Sequence, residues 1–227
     1  MKRNVASQLD QLKSKLTGYV GLLSYRYANL CIEANPLALF STQVKVDGQL
    51  MKIEDVAKVA VHEKYHFVII PNYEEDFFPI GQAIMKEHPE FKQEVKSFDG
   101  YKEEDPEGKY LFYTMPEVNK DRHDTLLKAV DALRDECTEK MSLAQESCTA
   151  QLAIVQANAS PAEQEQTADQ VKEIMDKFNE MRDKVHDQKT KDIEDAYADY
   201  QARQAEKEAE KAKQQEESGN PMQMKME

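Results

Sequence analysis

The chain has 227 residues, 30 basic and 43 acidic side chains, a net charge of -13 and three cysteines. It is long enough for one or two packed units, and it is too acidic for a polyphosphate ligand unless its bases are gathered into one patch. No apolar run is long enough to span a bilayer and no apolar core follows Met1-Lys2-Arg3, so neither a membrane span nor a secretory signal is expected and the chain reads as cytoplasmic.

The first element is a long helix. Val5, Leu9, Leu12, Leu16, Val20, Leu23, Tyr27 and Leu30 recur at alternating three- and four-residue spacing, with Gln, Lys, Ser and Asp between them. Ala34-Asn35-Pro36 ends it, because a residue before proline is pushed out of the α region. The period then changes. Thr42 to Val46 alternates, Asp47-Gly48 signals a hairpin turn, and Leu50 to Ile53 returns antiparallel. Val56 to Val61 and Phe67 to Pro71 are β-branched runs of strand length. Pro79 to Met85 reads as a short helix whose entry follows Glu74, Glu75 and Asp76, acids suited to a helix N-terminus. Glu87 to Gly108 reads as a loop, and Lys109 to Met115 as a last strand leading to Pro116.

Two more seams follow. One runs Leu126, Val130, Leu133, Cys137, Met141, Ala144, Cys148, Leu152 and Val155. The other runs Val171, Ile174, Phe178, Met181 and Val185, then resumes at Ile193, Ala196 and Tyr200. The short turn at Asn158-Ala159 makes these helices antiparallel, and Ser160-Pro161-Ala162-Glu163 is a capping box with proline at the first helical position. Three narrow seams satisfy one another in a three-helix bundle. The fold expected is α+β: a long antiparallel three-helix bundle, residues 1–36 and 116–200, with a small β/α/β domain, 37–115, inserted between helix one and helix two. Residues 201–227, mostly Ala, Glu, Lys and Gln, form a charged helical extension or a disordered tail without an apolar seam. The acids Glu103-Glu104-Asp105 read as solubilising, and Cys137 and Cys148, on the seam of helix two, as small hydrophobes.

One short motif invites a chemical reading. His62-Glu63-Lys64-Tyr65-His66 matches the His-Glu-x-x-His zinc-peptidase pattern, which needs both imidazoles one helical turn apart. Here strands flank it, and on an extended chain the two rings stand about 13 Å apart. No metal site is expected, and an ordinary polar turn is.

The order helix, β insert, helix pair resembles the ribosome recycling factor family over roughly residues 5 to 195. Ala34-Asn35-Pro36 is similar to that family's Ala-Ser-Pro. Val44 to Gly48, Val56 to Val61, Phe67 to Pro71 and Ala83-Ile84-Met85 resemble its inserted domain. Pro116 to Arg122, with Leu126 and Lys128, resembles its Pro-Leu-Thr-Glu-Glu-Arg entry to helix two, Ser160 its Ser-Glu-Asp start of helix three, and Lys189 a late lysine.

The resemblance implies a protein that is not an enzyme, with no cofactor and no small-molecule substrate. It implies the large ribosomal subunit and elongation factor G as partners, and a basic bundle face that meets ribosomal RNA. Arg122 and Lys128 are the retained RNA-binding positions. The family's other arginines fall on Leu30, Glu33, Ser142, Gln145 and Glu146, so five bases are lost and two become acids. Residues 116–199 carry 11 basic and 20 acidic groups, which fits a rewired surface. Arg26 and Arg134 match no family position. The alternative reading is a paralogue that keeps the fold, no longer binds ribosomal RNA and serves as a module for some unknown protein partner; a zinc hydrolase is the third.

Overall fold

The computed structural model describes residues 2–40, 42–101 and 108–218. Glu103-Glu104-Asp105 and the tail beyond Ser218 lie outside the described residues. Three long helices carry the chain: α1, Lys2–Asn29, α4, Lys120–Val155, and α5, Pro161–Ser218. Between α1 and α4 lie a hairpin of β1, Gln43–Val46, and β2, Gln49–Lys52, a single turn α2, Ile53–Val56, the strands β3, Ala57–Glu63, and β4, His66–Pro71, the helix α3, Phe77–Glu87, and the strands β5, Lys92–Ser97, and β6, Lys109–Thr114.

The seams of α1, α4 and α5 meet in one apolar cluster that includes Leu12, Leu16, Leu23, Val130, Met141, Val171, Phe178 and Ile193. The third seam needs a correction. Met181 is 41 % exposed, whereas Met175 is buried and Arg182 is only 8 % exposed. Arg182 enters because its guanidinium is satisfied there, by Asp183, by Asn179 Oδ1 at 2.9 Å and by Thr138 Oγ1 of α4 at 3.0 Å. The α4–α5 turn is held as the sequence requires: Ser160 N donates to Glu163 Oε2 at 3.1 Å and Glu163 N to Ser160 Oγ at 3.4 Å. Arg26 and Arg134 are not idle. Arg26 pairs with Glu136 across α1 and α4, and Arg134 with Asp183 at 3.1 Å across α4 and α5.

A second apolar cluster lies in the insert. Its four strands pair antiparallel in the order β3-β4-β6-β5. Phe67, Ile69, Leu111 and Tyr113 project from one sheet face onto Ile80 and Ile84 of α3 and onto Val44, Ile53 and Leu39. The tight β1–β2 turn has positive φ at Asp47 (48°) and Gly48 (82°), the conformation of a two-residue hairpin loop that Asp-Gly favours.

Besides α2, which takes Ile53 and Val56 out of the strands expected there, two elements differ from the sequence reading. The segment taken as a loop from Glu87 to Gly108 contains β5, a strand of Lys, Gln, Glu and Ser around one valine, whose pattern carries no apolar alternation because it is an exposed edge. The other is the end of α1. The helix stops at Asn29, well before Pro36, because Ala34 N donates to Lys64 O at 2.7 Å and draws the segment onto the β3–β4 turn.

Candidate functional site

Two places gather the residues that the sequence singled out: the crossing of the two linkers between bundle and insert, and the outer face of α4. At the crossing, the carbonyls just past the end of α1 have no helical partner and are met by cations. Arg122 sits in the first turn of α4, where Asn119 Oδ1 caps its backbone amide at 2.9 Å. Its guanidinium forks, Nη2 donating to Cys31 O at 2.6 Å and Nη1 to Pro116 O at 2.7 Å. One side chain thus ties the outgoing linker to the returning one. From α5, Lys189 Nζ donates to Leu30 O at 2.7 Å. Burial holds both bases below their usual pKa ranges, with nearby acids, Glu90 beside Arg122 and Asp192 beside Lys189, opposing the shift. Cys31 is buried in the same place and its thiol is pushed up to about 11 by that burial.

His123, the next residue, joins α4 to α5. Its Nδ1 lies 3.0 Å from Asp124 Oδ1, its Nε2 3.1 Å from Glu194 Oε2, and its ring stacks on Tyr197 at 4.5 Å. Burial lowers its pKa, and the two carboxylates beside it, Asp124 by a hydrogen bond and Glu194 by its charge, outweigh burial, so the net direction is upward.

Lys128 is placed differently. It is exposed on a single stripe of α4, and along that stripe, at three- and four-residue spacing, stand Asp124, Asp131, Asp135, Glu139, Ser142 and Glu146, all exposed. A lone ammonium flanked by five carboxylates does not make a field that attracts phosphate. Of the other substituted positions, Gln145 is half-buried beside the stripe, and Glu33 is exposed in a crevice shared with Lys64, Asp192, Asp195 and Asp199. Leu30 packs on the bundle core, so an apolar side chain there adds to the seam of α1. The site residues therefore separate: Arg122 and Lys189 hold the crossing, and Lys128 stands on the open face.

His62 and His66 lie on the β3–β4 hairpin, not on a helix. The estimate of their separation needs correcting, since both rings pack on Phe112, His62 edge-on at 6.0 Å and His66 stacked at 5.0 Å, closer together than a straight strand allows. Both rings reach Phe112, so they share one sheet face. Lys96 Nζ covers the same phenyl ring at 3.5 Å, so these imidazoles take part in packing an aromatic residue. Among the described residues no group of three or more His, Cys, Asp or Glu side chains is arranged to hold a metal.

Sequence reasoning did not find His123 or the carbonyl contact of Lys189. Nothing in the local sequence marks either as a site, because Glu194 and Tyr197, which meet His123, lie on α5 and Leu30, which meets Lys189, lies in the linker past α1.

A family model described as ribosome recycling factor matches residues 28–193. A solution structure of the ribosome recycling factor superposes with a TM-score of 0.68 at 15 % identity, covering 84 % of this chain and 97 % of that one. A second structure is described as models for the T. thermophilus ribosome recycling factor and the E. coli elongation factor G bound to the E. coli post-termination complex. It gives a TM-score of 0.55 at 17 % identity, covering 83 % of this chain and 98 % of that one. At these identities the two structures show the fold. No curated protein sequence matches the chain.

Proposed function

This chain belongs to the ribosome recycling factor family, a translation-related family, and from that premise we propose that it is a non-enzymatic cytoplasmic protein that docks its helical bundle on the large ribosomal subunit and acts with elongation factor G. The observation that supports this most is the likeness of its helix, insert, helix pair to a solved recycling factor, over 84 % of this chain and 97 % of that one. The docking proposed has a weak electrostatic component. Lys128 is the retained base that contacts RNA, and Arg122, hydrogen-bonded to two linker carbonyls, serves the hinge. Leu30, Glu33, Ser142, Gln145 and Glu146 contribute no phosphate contact, and contact of the bundle with the subunit relies on shape and on uncharged hydrogen bonds.

A second reading draws on the acidic stripe of α4: a paralogue that has given up ribosomal RNA and binds a protein through that face. Co-sedimentation with purified large subunits across a salt series separates the two. Each phosphate contact contributes roughly 0.7 to 0.9 of a unit to the steepness with which log affinity falls against log salt, so the first reading, with Lys128 as the one base on RNA, expects binding with a slope of about that size. Absence of binding at low salt overturns it and leaves the second.

A further inference from the structure

The match to the family model ends at residue 193, yet α5 continues to Ser218, and just past that limit the helix grips the inserted unit. Asp199 Oδ2 accepts from Lys64 Nζ at 2.6 Å. One helical turn on, Arg203 Nη2 donates to Tyr65 Oη at 3.1 Å, its guanidinium lies 5.1 Å from the centre of the Tyr65 ring, and Nη2 stands 3.8 Å from Glu117 Oε1. The spacing of four places both side chains on one face of α5.

Lys64 and Tyr65 are the two residues of the β3–β4 turn, and Glu117 lies in the linker returning to α4. The same turn holds both linkers by its backbone: Ala34 N donates to Lys64 O at 2.7 Å and Met115 N to Tyr65 O at 2.8 Å. Tyr65 is buried, whereas residues 205–214 of α5 are exposed. A two-residue turn is therefore where linker, returning linker and helical extension all meet.

We propose that residues 199–203 of α5 are an intramolecular brace that sets the angle of the inserted unit on the bundle. With the brace engaged the insert is held at one orientation. With it released, the insert swings about residues 30–35 and 116–119. The rest of the extension carries the helix through this contact and keeps its last turns from fraying at Arg203.

The test is pulsed electron-electron spin resonance on the full chain, spin-labelled at Ser7→Cys on α1 and Gln49→Cys on β2, both exposed positions. The native thiols are buried and stay unlabelled. One narrow distance peak is expected for the otherwise unaltered chain. Asp199→Ala with Arg203→Ala is expected to replace it with a broad distribution, at unchanged helical circular dichroism. Lys64→Asp, which faces Asp199 with a like charge, is expected to broaden the peak, and adding Asp199→Lys to restore it. A distribution that stays narrow in the double alanine variant, or one that the charge swap does not restore, overturns the proposal and assigns the angle to the linker hydrogen bonds alone.

Discussion

Replacing Arg122 separates a role in the fold from a role on RNA. Its guanidinium makes two charge-assisted hydrogen bonds, to Cys31 O and Pro116 O, from a half-buried position. Such bonds contribute roughly 1.5 to 3 kcal/mol each, and truncation lets water reach part of the freed carbonyl surface, so Arg122→Ala is expected to cost about 2 to 4 kcal/mol. For a chain of this size that lowers the melting temperature by roughly 4 to 16 °C. Arg122→Lys keeps the charge and loses the fork, and is expected to cost about half as much, because one ammonium reaches one carbonyl well. Urea denaturation followed by circular dichroism measures the loss, and the salt slope of large-subunit binding supplies the second readout. Arg122→Ala is expected to leave that slope unchanged, whereas Lys128→Ala reduces it by roughly 0.7 to 0.9 of a unit. The reasoning is refuted if Arg122→Ala stays within about 0.5 kcal/mol of the parent while the slope falls by that amount.

Leu16 has no exposed surface in the bundle core, and Leu16→Ala is expected to lower unfolding free energy by about 2 to 5 kcal/mol in the same urea assay. His123 is held above its ordinary value of 6.5 in the folded chain, so its contribution is fully present below that value and is lost as pH rises through the folded pKa. His123→Gln is expected to flatten the stability profile above pH 6.5, and a profile that keeps the parent's shape rules the linkage out. Cys31 at about 11, with Cys137 and Cys148 also raised by burial, predicts slow reaction with a thiol reagent at pH 8 and release of three reactive thiols on unfolding. Rapid native labelling contradicts it.

The fold was legible where its cause is local or periodic. The seams of α1 and α4, the capping box at Ser160 and the Asp47-Gly48 turn are each set by residues within a few positions of one another, and each stands where the pattern put it. β5 was not legible, since an exposed edge strand needs no apolar alternation to pair with β6. The candidate site was half legible. Resemblance to the family marked Arg122 and Lys128 alike as RNA contacts, and only the three-dimensional arrangement separated a base enclosed by two carbonyls from a base standing among carboxylates.

The sequence by itself determined the order of the three long helices around the insert, the apolar faces of α1 and α4 and the excess of acid on the second and third helices, because periodicity and charge are properties of the chain alone. Tertiary structure decided where α1 stops, which cations satisfy the carbonyls beyond it, and that Asp199 and Arg203 of the extension meet Lys64 and Tyr65. These are pairings between residues 30 to 159 positions apart, and a hydrogen bond acts over about 3 Å whatever the separation along the chain. No local pattern carries that information, so the scaffold could be read from the residues in order while the crossing of the two linkers existed only once they were packed.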